Sequence, residues 1–174
     1  MHASTNRSHI RASEDAHVVA SDGVRLRLRA HGPAHAPRLV MSHGNGMAID
    51  GYRGFWEPLS DAFQVVVVDM RGHGLSESGA GEHHRWPQFV DDMESIWQAL
   101  PRLYGPRITL GVFHSLSAIA CLGHMKRYGR RWDGVLLFDP PLAPPRGHPL
   151  QQKHELDMAP VSYTHLTLPT NREV

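Results

Sequence analysis

GVFHSLSA, residues 111–118, joins a run of strand formers, RITLGVF (107–113), to small helix formers continuing through LSAIACLGHMKRYG (116–129). A serine at such a strand-to-helix junction can sit on a sharp turn. Its hydroxyl then projects, and the first amides of the helix point at its reaction partner. The competing role for Ser115 is a plain N-cap, which serine also favours. The nucleophile reading is preferred, because a glycine-rich loop earlier in the chain suits the same chemistry.

Outward from this junction, strands alternate with helices. Six strand runs are legible: AHVVA (16–20), VRLRLRA (24–30), RLVMS (38–42), QVVVVD (64–69), RITLGVF (107–113) and GVLLFD (134–139). The first two flank Asp22-Gly23, a favoured two-residue hairpin turn. The four consecutive valines lack alternation and predict a strand covered on both faces, as in a parallel sheet. YRGFWEPLSDAF (52–63) reads as a helix interrupted or started near Pro58. WPQFVDDMESIWQALPRLYG (86–105) carries Phe89, Val90, Met93, Ile96, Trp97 and Leu100 at helical spacing, a core-facing stripe. This order predicts an α/β fold, a doubly wound and mostly parallel sheet with right-handed crossovers.

Composition narrows the function. The 174 residues suffice for one domain with a sizeable core, and 41% hydrophobic with 20% charged is ordinary for a soluble globular protein. A formal charge of +1 gives no electrostatic argument for nucleic acid or an anionic membrane. The 14 histidines are scattered without metal-ligand spacing, so no metal site is expected. Cys121, the sole cysteine, excludes an intrachain disulfide and reads as a buried structural thiol. The polar N-terminus has no signal-peptide core, and no apolar run reaches spanning length, so a cytoplasmic location is expected.

In an open parallel sheet, ligands bind beyond the carboxyl ends of the strands. Three motifs fall there: SHGNGM (42–47), DMRGHGLSE (69–77) and FHSLSA (113–118). A backbone N–H just after the serine can donate to a developing oxyanion, and a second donor can come from the glycine-rich loop at 43–46. His43 reads as a loop-orienting hydrogen bonder rather than a base. Asp69 and Arg71 are expected to pair within a tight turn whose glycines take special backbone angles.

These three motifs, in this order, resemble the α/β-hydrolase superfamily over roughly residues 17–145. The resemblance implies a hydrolase, a serine esterase or lipase-like enzyme, with a nucleophile elbow and an oxyanion hole. Carried over residue by residue, Ser115 is the nucleophile, and the amides of Asn45 and Leu116 line the oxyanion hole. His114 matches the Gly-His-Ser sequence common in the family. Asp139, at the end of its strand, is a candidate triad acid, with a loop-orienting role as the alternative. A serine rather than an aspartate at the elbow argues against the epoxide- and haloalkane-cleaving relatives. The elbow departs from G-x-S-x-G at Phe113 and Ser117. Phe113 is not small, so either the helix crosses the strand at a wider distance or the ring turns away from the elbow.

The family's chain order is serine, acid, histidine. Of the eight core strands, about six are legible, and none of His148, His154 or His165 follows a credible strand. The expected layout is a disordered lead (1–15), the N-terminal part of an α/β-hydrolase core (16–145), and the start of a cap or linker (146–160). VSYTHLTLPTNREV (161–174) matches nothing before it in pattern. It can be encoded by DNA resembling the end of a sequencing-library adapter, so a non-native, adapter-derived tail is expected. The reading is thus a serine hydrolase cleaving a carboxylic ester or similar acyl bond of a small molecule, the chain as given being an inactive fragment. It needs no cofactor and no nucleic acid, and its oligomeric state stays open. The alternative is a non-catalytic α/β-hydrolase-like binding protein.

Overall fold

The structure is a computed structural model that describes residues 14–81 and 85–142. The last residues of the expected core (143–145), the expected cap or linker at 146–160 and the expected tail at 161–174 lie outside the described residues. Six strands form one sheet in the order β1-β2-β4-β3-β5-β6: β1 Glu14–Val19, β2 Arg25–His31, β3 Arg38–Ser42, β4 Gln64–Val68, β5 Thr109–His114 and β6 Gly134–Phe138. The pairs β1–β2 and β2–β4 are antiparallel, whereas β4–β3, β3–β5 and β5–β6 are parallel. All six strand runs read from the sequence are present, and the sheet is the mostly parallel one that their alternation with helices predicts.

Two details differ from the sequence reading. The β1–β2 reversal uses Ser21, Asp22 and Gly23, with Ala20 N–H donating to Val24 O and Gly23 at φ 88°. A left-handed glycine closing a type I turn fits a three-residue loop rather than a two-residue one. β1 also starts at Glu14, inside the expected lead, because Asp15 is held by a bidentate pair with Arg27 on β2.

The valine run is covered on both faces. Val66 and Val68 enter a core with α2 (Trp86–Tyr104) and α3 (Leu116–Tyr128), contributed by Phe89, Met93, Ile96, Ala118 and Cys121. Val65 and Val67 face the other way, against Ile49 and Trp56. Those two belong to a segment built of a 3-10 turn (Ile49–Tyr52), the short helix α1 (Arg53–Trp56) and a second 3-10 turn (Pro58–Asp61). The interruption at Pro58 is the expected one, since proline offers no N–H to continue α1. Cys121 is buried, and desolvation pushes its thiol pKa up to about 12, which makes it an inert core group. Among the described residues, no helix is long and apolar enough to cross a membrane.

Candidate active site

Ser115 is the single residue between β5 and α3, at φ 50° and ψ −111°. A non-glycine residue there costs about 1–3 kcal/mol and persists only where its surroundings over-determine it. They do. Ser115 N–H donates to Phe138 O (2.8 Å), and Ile119 N–H donates to Ser115 O (3.0 Å). The buried Ser117 hydroxyl donates to His114 O and accepts from His114 N–H, both at 3.0 Å, bracing the turn from inside. Ser115 occupies the N-cap position but makes no side-chain capping bond, so the helix leaves its hydroxyl unused.

Phe113 departs from the small residue of the elbow pattern because the space is found elsewhere. Its ring turns back along β5 over Gly111, where an added Cβ would lie 2.4 Å from the ring. It meets Trp132 edge-on at 5.3 Å between centroids. Gly111 supplies the room that position 113 does not, and the ring points away from the elbow.

The loop after β3 lies against this turn. A Cβ on Gly44 would stand 2.8 Å from His114 Nδ1 and 3.2 Å from Ser115 Cβ, so only glycine allows the approach. His43 is fully buried; its Nε2 accepts Met70 N–H (3.0 Å), which leaves the proton on Nδ1 to donate to Gly44 O (2.8 Å). Burial pushes its pKa down to about 4. His43 is therefore a neutral orienter of the loop and not a base. Gly44 N–H donates to Tyr52 Oη and Gly46 N–H to His73 Nε2, both at 3.1 Å. Among the described residues, the amide of exposed Asn45 between them takes no partner. Leu116, first residue of α3, carries one of the amides that a helix start leaves without an intrahelical acceptor.

The turn at 69–77 is structural, but its pairing is not the expected one. Asp69 does not pair with Arg71: its carboxylate accepts the amides of Ile49 (2.9 Å) and Leu75 (3.3 Å), and a Cβ on Gly74 would collide with it. Arg71, fully buried, makes a bidentate pair with Asp92 on α2 and reaches Asp22 in the β1–β2 loop. Burial opposes its charge, yet those two carboxylates outweigh burial and raise its pKa. Gly72 and Gly74 take the expected positive φ, 71° and 54°.

Asp139 stands at the carboxyl end of β6, beside Ser115 at the end of β5, and is exposed. A cavity of about 450 Å³ opens beside Asp139, walled by Ile49, Phe55, Val112 and Phe138, with Ser42, Tyr52, His114 and Asp139 as its polar lining; its wall includes His114, the residue before Ser115, but not Ser115. The sequence reading missed Tyr52, His73 and the bracing role of Ser117. None of them has a spacing signal: Tyr52 is placed by a 3-10 turn, and His73 by a turn after the neighbouring strand.

A mostly parallel sheet with a strained serine elbow and a glycine loop packed against it defines the class: this is an α/β-hydrolase fold. The chain matches the profile of the serine aminopeptidase S33 family (Hydrolase_4) over residues 33–173, and it belongs to that family. It is 31% identical over 81 residues to the proline iminopeptidase PfmaB of Pestalotiopsis fici, covering 45% of this chain and 28% of that protein. It is 27% identical over 117 residues to the bifunctional esterase/perhydrolase DCH of Acinetobacter calcoaceticus, covering 64% of this chain and 39% of that one. The fold is similar to that of carboxylesterase CesB (YbfK) from Bacillus subtilis, with a TM-score of 0.62, 22% identity, and 74% of this chain aligned to 43% of that one. The chain thus spans less than half the length of each of these relatives.

Proposed function

We propose that this chain is the nucleophile-bearing N-terminal part of a cytoplasmic serine hydrolase that cleaves a carboxylic ester or similar acyl bond of a small molecule. The observation that carries the reading is Ser115, held at φ 50° with its hydroxyl uncommitted to the helix it starts. Ser115 Oγ attacks the acyl carbon and forms the acyl-enzyme bond. Its proton passes to the histidine base of the whole enzyme and then to the departing alcohol. The amides of Asn45 and Leu116 hold the oxyanion, and water releases the acid in the second half-reaction. Asp139 would orient that histidine as the triad acid. The names of the relatives, an iminopeptidase and an esterase, both denote cleavage of acyl bonds. A serine hydroxyl without its base is a poor nucleophile, so this chain by itself is expected to turn over no ester.

A fluorophosphonate probe, applied to an enzyme that includes this chain and the histidine base and followed by peptide mass spectrometry, tests the assignment. Modification of Ser115, absent from Ser115→Ala, is the expected result. Modification of a different serine would remove Ser115 from the mechanism. No modification at all would favour a non-catalytic binding member of the fold.

A further inference from the structure

We infer that the Tyr52 hydroxyl is the positioning group that locks the glycine loop and the serine elbow against each other, and so selects Asn45 as the loop's free amide. The inference rests on the reading of Ser115 as nucleophile. Three successive amides, those of Gly44, Asn45 and Gly46, lie in a loop whose backbone touches the elbow. Two are occupied by side chains from elsewhere: Gly44 N–H by Tyr52 Oη and Gly46 N–H by His73 Nε2, both at 3.1 Å. Whichever amide is left uncommitted is the one a developing oxyanion can use.

Tyr52 does more than occupy Gly44. Its hydroxyl lies 2.6 Å from His114 Nδ1, the residue immediately before Ser115, and 3.2 Å from Met47 Sδ at the far end of the loop. A phenol oxygen accepts through its lone pairs and has one proton to give. It accepts Gly44 N–H and shares a 2.6 Å hydrogen bond with His114 Nδ1, the shorter of its two side-chain contacts. One hydroxyl therefore joins the glycine loop to the elbow, the two elements that must be in register for an amide to face the Ser115 carbonyl adduct.

The anchor is itself fixed. Tyr52 ends the 3-10 turn Ile49–Tyr52, whose first amide, Ile49 N–H, donates to buried Asp69 (2.9 Å). Ile49 O accepts the indole N–H of buried Trp56 at 3.1 Å. A hydroxyl held this firmly defines a distance rather than following its partners.

The test uses an isotope-labelled enzyme that includes this chain and the histidine base, with Tyr52→Phe as the variant that keeps the ring and Met47→Leu as the control that removes the third partner. Four results are expected for Tyr52→Phe: Gly44 amide exchange about tenfold faster, a shifted His114 Nδ1 resonance, unchanged exchange elsewhere, and a maximal rate of fluorophosphonate modification at Ser115 about tenfold lower at the same half-saturating probe concentration. Met47→Leu should leave all four at the wild-type value. Unchanged Gly44 and His114 signals, a change in half-saturation alone, or equal effects from Met47→Leu would overturn the proposal. A wild-type enzyme with its base whose Ser115 never reacts, but whose Gly44 and His114 respond to Tyr52→Phe as expected, would sink the nucleophile reading and leave the lock standing.

Discussion

Two residues end adjacent parallel strands with a left-handed backbone: Ser115 after β5 at φ 50° and Asp139 after β6 at φ 44°. Among the described residues, these are the non-glycine positions with positive φ. Their supports differ sharply. β5 lies between β3 and β6, and Ser115 is held by Phe138 O and by the close approach of Gly44, with Ser117 bracing the preceding residue, His114. β6 has one neighbour among the described residues, its side chains Leu136 and Phe138 are exposed, and Asp139 is exposed beyond them. Aspartate visits the left-handed region several-fold more often than most residues, whereas a serine at ψ −111° does so only under constraint. The same sign of φ therefore costs more at the serine than at the aspartate.

The largest effect that separates the two ends is chemical. In an enzyme that includes this chain and the histidine base, Ser115→Ala should lower esterase turnover on the order of a millionfold with the fold intact. With the proposed role, Asp139→Asn should lower it on the order of ten-thousandfold. Equal turnover in wild type and Ser115→Ala would show that the supported end is not the reactive one.

Acid should loosen the supported end selectively. His43 is buried and neutral in the fold, with its pKa down from 6.5 to about 4. An unfolded histidine takes up a proton below 6.5 and the folded one does not, so the unfolded state binds more protons in this window. Its contribution is complete above 6.5 and is lost as pH falls toward 4, by about 3 kcal/mol in all. Burial likewise lowers the pKa of His124 and His31, which adds to the slope. Denaturant melts of wild type and His43→Gln at several pH values isolate the His43 share, because the variant should show a shallower decline. Parallel pH curves would mean that His43 is not held neutral.

Gly44→Ala is the next probe of the support. The new methyl would meet His114 Nδ1 at 2.8 Å and push the loop from the elbow. In the enzyme that includes the base, modification of Ser115 by fluorophosphonate should slow on the order of a hundredfold, the usual cost of an oxyanion donor out of place. A rate within twofold of wild type would show that the loop's position does not matter to the serine.

The smallest effect is the most direct comparison of the two strand ends. Ser115→Gly releases backbone strain and should raise stability by about 1 kcal/mol, the gain being tempered by the freer unfolded glycine. Asp139→Gly should change stability by less than about 0.5 kcal/mol. Urea melts of the two variants read this directly, and equal shifts would erase the distinction drawn between the two ends.

Periodicity and order carried the architecture. The valine run at 65–68, the helical stripe from Phe89 to Leu100 and the strand–serine–helix junction at 113–118 are local patterns, and a local pattern fixes an element wherever the rest of the chain agrees. Ser115 itself was legible for the same reason, since its setting is made of sequence neighbours. What holds it was not. Tyr52 reaching Gly44 and His114, His73 reaching Gly46, and Arg71 choosing Asp92 and Asp22 over Asp69 are contacts between segments brought together only by the assembled sheet. Even the apparent fault at Phe113 was resolved by a residue two positions back, where Gly111 leaves the ring its space. A hydrogen bond needs its partners within about 3 Å, and which distant side chain meets that condition is decided by tertiary packing rather than by spacing along the chain.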